Sequence, residues 1–180
     1  PPPPPHTPLT LHDALPIYDQ VNGNAWFIRM LEKVNSANEE IKALDSLDTK
    51  QKAVYSAHEK VESFTGIKDR FIVDSLSTID LVTVKPNYLK YQSNNPNEGF
   101  AVFSEVYYGH GWKTFIDGKK TDHMRVNYIL RGMPIPAGNH NIEFKFDPDV
   151  VKTGSRITLA SSILLGLLLF GGFFYEFKKR

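Results

Sequence analysis

Residues 111–146 read GWKTFIDGKKTDHMRVNYILRGMPIPAGNHNIEFKF, a grammar of short strands and tight turns. The closing segment alternates most cleanly. Ile142, Phe144 and Phe146 fall on one side, and Glu143, Lys145 and Asp147 on the other, the period-2 pattern of a half-buried strand. Asp117-Gly118 marks the tight turn of a hairpin. In the strand returning from it, Met124, Val126, Tyr128 and Leu130 point one way, and Arg125, Asn127 and Arg131 the other. Pro136-Ala137-Gly138 makes a further turn.

Upstream the same grammar continues. STIDLVTVKPNYLKY (residues 77–91) is rich in β-branched and aromatic residues, with Pro86 marking an edge or a bulge, and GFAVFSEVYY (residues 99–108) is a second run. Strands at this spacing predict a mainly β chain, with an antiparallel β-sandwich over residues 71–150 and Val126, Tyr128, Phe144 and Phe146 inside. Before it, Ala25 to Leu31 predicts a strand. Ser36 followed by Glu39 is a capping box, and Asp48 followed by Gln51 offers a second cap. Two short helices are therefore expected, the first carrying a stripe of Ile41, Leu44 and Leu47. Residues 21–70 are thus expected as a strand and short surface helices packed on the β domain.

The first 20 residues contain a proline run that can only be extended, and lack the basic start and apolar middle of a signal peptide. They read as a foreign leader joined to a truncated reading frame, or as a flexible linker. At the other end, residues 151–156 read as a short connector. From Ile157 to Tyr175 about 19 residues pass without a charge, the length a helix needs to cross a hydrocarbon core. Phe173, Phe174, Tyr175 and Phe177 gather where an interfacial aromatic belt would lie. Lys178, Lys179 and Arg180 follow the span, and Lys152 and Arg156 precede it. The positive-inside rule then favours a cytoplasmic tail over residues 176–180 and an outward-facing β domain.

The 180 residues allow one modest domain plus this span. A net charge of +1 gives no reason to expect nucleic acid, and the absence of cysteine excludes disulfides and thiolate chemistry. His6, His12, His58, His110, His123 and His140 are scattered, without paired metal-ligand spacing. No nucleophile elbow, phosphate-binding loop or dinucleotide fingerprint is present. The carboxylates Asp117, Asp122, Asp147 and Asp149 sit in turns, where aspartate commonly caps its own backbone. No catalytic residue and no metal ligand is assigned. Tyr107, Tyr108, His110 and Trp112 cluster as aromatics beside polar groups. Exposed, they would stack on sugar faces; buried, they would fill the core.

Tyr108, Gly111-Trp112, the Asp117-Gly118 turn, Asn127, Pro136-Ala137-Gly138, His140 and Phe144-x-Phe146, with GNAWFI upstream and the glycine-containing last span, resemble the ending of the YfhO-type bacterial membrane proteins. The resemblance covers about residues 23–180. It implies a polytopic envelope protein of the bacterial plasma membrane, acting as a lipid-linked-sugar glycosyltransferase on cell-surface glycopolymer. It also implies a polyprenyl-phosphate sugar as donor and an extracytoplasmic β domain. The acidic residues of that chemistry are expected in upstream loops, so this chain would be a non-catalytic C-terminal fragment, its partners the bilayer and the missing membrane helices. Two other architectures also fit the residues: a tail-anchored cytosolic interaction protein, and a tethered carbohydrate-binding module.

Overall fold

The computed structural model describes residues 21–58, 64 and 66–179; the expected leader over residues 1–20 lies outside them. Among the described residues eleven strands and two helices follow in order: β1 Ala25–Ile28, β2 Met30–Val34, α1 Ala37–Leu44, β3 Lys52–Ser56, β4 Thr78–Lys85, β5 Tyr88–Asn95, β6 Gly99–Val106, β7 Trp112–Ile116, β8 Lys119–Thr121, β9 Met124–Val126, β10 Leu130–Ile135, β11 Gly138–Phe146 and α2 Asp149–Lys179. The expected mainly β, antiparallel architecture with one C-terminal apolar helix is what the chain adopts.

Two antiparallel sheets face each other, one of order β4-β5-β11-β7-β8 and one of order β1-β6-β10-β9. Alternation decides which side chains meet between them. Ile142 and Phe144 of β11 and Tyr91 of β5 face Ala101 and Phe103 of β6 and Met133 and Ile135 of β10. Tyr91, Phe103 and Phe144 form an edge-on aromatic trio, with ring centroids 4.9, 5.0 and 6.0 Å apart.

A third layer covers the outer face of the smaller sheet. Here β2 and β3 pair in parallel, with α1 beside them. Ile28, Leu31, Ala53 and Phe71 meet Phe100, Val102, Met124 and Val126 in a second core. Strand β6 is therefore buried on both faces from Gly99 to Phe103, which is why its sequence reads as a continuous apolar run and does not alternate.

The N-terminal layer corrects one expectation. The Ser36–Glu39 cap forms: the Glu39 amide donates to Ser36 Oγ at 3.2 Å, and the Glu39 carboxylate accepts from the Asn35 amide at 3.0 Å. The second helix does not form. Asp48 instead turns the chain, its Oδ1 accepting from the Lys50 amide and its carbonyl from those of Gln51 and Lys52. Residues 52–56 then pair with β2 and bury Ala53 and Val54, a gain that outweighs local helix preference. Nor does the Ile41 stripe hold α1 in place, since Ile41 is exposed. The buried residue of α1 is Glu40, whose carboxylate accepts from the Tyr128 amide at 2.8 Å.

Further corrections fall on the returning strand. It is broken after β8, and again at Asn127 and Tyr128, whose φ values of 48° and 69° are left-handed. Tyr128, expected inside, is half-buried in this turn. The unusual backbone is held by the Glu40 bond and by Arg125, which donates to the Tyr128 carbonyl at 3.0 Å. Asn127, expected outward, is buried. Its amide donates to the Val54 carbonyl and its side-chain oxygen accepts from the Val54 amide, so it pairs with β3 as a strand residue would. Arg131, also expected outward, is 2% exposed. The β10–β6 register slips between Leu130 and Arg131, and that irregularity breaks the simple alternation.

The ends of the sandwich differ in use. Strand β1 runs antiparallel to Phe100–Phe103 of β6, with the Asn24 carbonyl accepting from the Ser104 amide, so the described chain enters at the end where β11 finishes and α2 begins. The two tight turns, Asp117-Gly118 and Pro136-Ala137-Gly138, close the far end. Helix α2 is continuous from Asp149, so residues 151–156 are helical and not a connector. It is long and apolar enough to cross a membrane, and none of its residues is buried.

Candidate functional site

The hairpin β7–β8 pairs Thr114 with Thr121, which brings the segment before β7 beside the segment after β8. A cleft of about 560 Å³ opens there, walled by Tyr107, His110 and Trp112 on one side and by Lys120, Asp122 and His123 on the other. Its floor is closed by Asp149 and Val150, the first residues of α2. The aromatic wall thus sits against the root of the apolar helix.

Three of the four aromatics expected from the sequence line this cleft. Tyr108 does not: it lies beside it, half exposed, its ring 6.4 Å from Phe146 and 6.3 Å from His110. Gly111 makes this packing possible, because a Cβ there would run into the Phe146 and Tyr108 rings. Phe146, expected inside the sandwich, is only half-buried, since it ends β11 under these rings, 5.3 Å from Trp112. His110 and Tyr108 are exposed, and Trp112 and Tyr107 are half-buried.

Beneath the wall lie two buried polar residues. The Arg131 guanidinium sits 4.4 Å from the centre of the Trp112 ring and 5.1 Å from that of Phe144, and its Nε donates to the Val106 carbonyl at 3.0 Å. A buried cation against aromatic faces fixes the tilt of Trp112. Burial lowers its pKa from the ordinary arginine value, yet arginine keeps its charge. His123 lies 2.6 Å from Thr114 Oγ1 through Nδ1 and packs edge-on against Tyr107. Burial, with Arg131 nearby, lowers its pKa to about 4, so it is neutral at physiological pH. Thr114 and His123 are 1% and 8% exposed. The pair braces the wall and does not present a hydroxyl to a substrate.

At the floor, Lys113 bridges Asp147 at 3.0 Å and Asp149 at 2.8 Å, and Lys152 reaches Asp147 at 2.6 Å. Hydrogen bonds to Asp149 and Asp147 raise the Lys113 pKa, and those from Lys152 and Lys113 lower that of Asp147. This network ties the first turn of α2 to β7. The Asp147 amide also donates to the Gly111 carbonyl at 2.8 Å.

Chemically, the cleft offers rings, a lysine, a threonine and a carboxylate on its walls, a set suited to polyhydroxylated ligands. Among the described residues no three His, Cys, Asp or Glu side chains are grouped as a metal site requires. From the sequence, His123 reads only as a scattered histidine and Asp122 as a turn carboxylate, and Lys120 carries no signal of its own. The Asp117-Gly118 turn carried their signal, because hairpin register places residues 119–121 opposite 114–116.

Neither a curated protein nor a solved structure matches the chain. The family model described as bacterial membrane protein YfhO matches residues 66–158, which take in β4 to β11, the cleft and the start of the apolar helix. By that match over more than half its length, the chain belongs to the YfhO family of bacterial membrane proteins.

Proposed function

We propose that this chain is the extracytoplasmic, non-catalytic part of a lipid-linked-sugar glycosyltransferase of the bacterial envelope, and that its cleft holds the glycan being modified. One observation carries this reading: the aromatic wall of Tyr107, His110 and Trp112 shares a cleft with the first residues of the candidate membrane helix. A ligand stacked there lies next to the membrane, where a polyprenyl-phosphate sugar would be presented. The chain entering at Asn24 and leaving at Asp149 from one end of the sandwich supports a domain hung between membrane segments.

The reaction would need an acid or base placed beside a membrane-embedded phosphate, since only positioned groups accelerate such a step. In the cleft the histidine beside a hydroxyl is buried and neutral, and Lys113 is engaged by two carboxylates. These residues fit holding and orienting. The catalytic carboxylates and the lipid site would then belong to upstream membrane segments of the parent protein.

The test is sugar transfer by the full-length parent in membranes. The double variant His110→Ala, Lys120→Ala changes exposed side chains and should leave folding intact. It should reduce transfer to the polymer at subsaturating acceptor, with the effect in KM. Unchanged KM would remove the glycan role of the cleft, and transfer by the 180-residue chain alone would remove the non-catalytic reading.

A further inference from the structure

We infer that the end of the sandwich from which α2 leaves is a membrane-contacting surface, seated on the headgroups of the bilayer that α2 crosses. The inference rests on α2 as the span and is independent of sugar transfer. Val106, Tyr108 and Ile129 are large apolar side chains that stand 64%, 51% and 51% exposed. They are neighbours. Val106 is the register partner of Leu130, the Ile129 carbonyl accepts from the Tyr107 amide at 2.7 Å, and the Tyr108 ring lies on Phe146, three residues before α2. Such side chains standing singly would need no explanation, but a group at one end does.

Helix geometry gives the height of this group. The polar turns from Asp149 to Arg156 span about 12 Å at 1.5 Å per residue, before the apolar run begins at Ile157. The interfacial layer on one side of a bilayer is about 5–8 Å thick. That leaves about 4–7 Å between the base of the sandwich and the headgroups, a gap that helix tilt and protruding rings close. Arg156 lies in these same turns, where its cationic head reaches the phosphates, while Lys152 is held by Asp147. A tyrosine among aliphatics beside lysine and arginine is the composition of an interfacial belt. The junction is also stiff, because the Lys113–Asp147–Asp149 network fixes the helix to β7.

The other end supplies an internal control. Leu76 is 70% exposed just before β4, whose first residue Thr78 pairs with Asn94, at the end closed by the two tight turns. A membrane seat should distinguish it from Ile129.

The chain has no cysteine, so single-cysteine variants Ile129→Cys, Leu76→Cys and Leu167→Cys can each carry one environment-sensitive fluorophore. The full chain is placed in vesicles of phosphatidylcholine and phosphatidylglycerol. Lipids with a headgroup spin label should quench the label at 129 several-fold more strongly than that at 76, and aqueous iodide should quench it less. Equal quenching at 129 and 76 by both reagents overturns the seat. So does a label at 129 shielded from lipid and iodide alike, which would mean that protein covers it. The label at 167 separates the two failures: quenching there by acyl-chain spin labels confirms the span, so a failure at 129 alone rejects only the seat.

Discussion

The imidazole of His140 reaches from β11 to the β7–β8 turn, its Nδ1 lying 2.6 Å from Asp117 Oδ2 while its Nε2 lies 3.1 Å from the Ala137 carbonyl oxygen. Both neighbours are hydrogen-bond acceptors, an arrangement that both ring nitrogens can serve as donors only when the imidazole is protonated. Asp117 Oδ1 also accepts from the Asn141 amide at 2.9 Å. The two turns at the far end of the sandwich are thereby clipped together, and the clip titrates.

Its sign follows from the shifts. The hydrogen bond to Asp117 raises the His140 pKa, and that bond lowers the Asp117 pKa. The histidine contribution is therefore full below its unfolded value of about 6.5 and is lost as pH rises through the folded value. The aspartate contribution is present above about 3.9 and is lost as pH falls through its folded value. On the β5 side, His140 faces Ser93, which carries no charge. Thermal unfolding of wild type and His140→Gln should differ most near pH 5 to 6, and the difference should shrink in mild alkali. A constant difference would show that His140 acts by packing alone.

His123 slopes the other way. Its folded pKa of about 4 lies below the unfolded value, so between the two the unfolded chain binds more protons and stability falls on acidification. The full effect is about 3 kcal/mol for a gap of roughly 2.5 units. Replacing His123 with Asn should lower stability at neutral pH and flatten this acid limb. A variant with an unaltered acid limb would place the acid sensitivity elsewhere.

Phe144→Ala removes one ring of the aromatic trio, itself fully buried, and should cost about 3–5 kcal/mol. Lys145→Ala on the opposite face loses an exposed pairing with Glu143 and the approach of its ammonium to Phe115 at 4.7 Å, worth below about 1 kcal/mol. Chemical denaturation of both variants should show this gap, and equal losses would mean that the faces of β11 are misassigned.

The Glu40 carboxylate is the buried anchor of α1, and its acceptor role at Tyr128 is geometric. Glu40→Ala should destabilise the third layer by about 1.5–3 kcal/mol, the range for a hydrogen bond to a charged group. Amide exchange should accelerate in β2 and β3 more than in β11. Uniform acceleration would mean that the third layer does not unfold as a separate unit.

What the sequence made legible tracks the range of the interaction involved. The β11 alternation, the Asp117-Gly118 turn, the Ser36 cap and the uncharged run of α2 each depend on a few neighbouring residues, and each formed. Strand β3 did not read as a strand, because KAVYS is polar enough for a surface helix until β2 pairs with it. Arg131 read as outward because the register slip between Leu130 and Arg131 cannot be seen in a period-2 pattern. The cleft was half legible: Tyr107, His110 and Trp112 stood together in the chain, whereas His123 joined them only through the hairpin. Asn127 stood out by resemblance alone, and its reason, a side chain that completes the pairing of Val54, is tertiary.

The account turns on which side of the membrane the sandwich occupies. A cysteine placed at Lys119, the exposed first residue of β8 next to the turn at the end away from α2, reports this directly in a chain without native cysteines. In intact cells carrying the full-length parent, with any native cysteines removed, an impermeant thiol reagent should label this position as fully as it does after permeabilisation. Labelling only in permeabilised cells would place the domain in the cytosol and contradict the account.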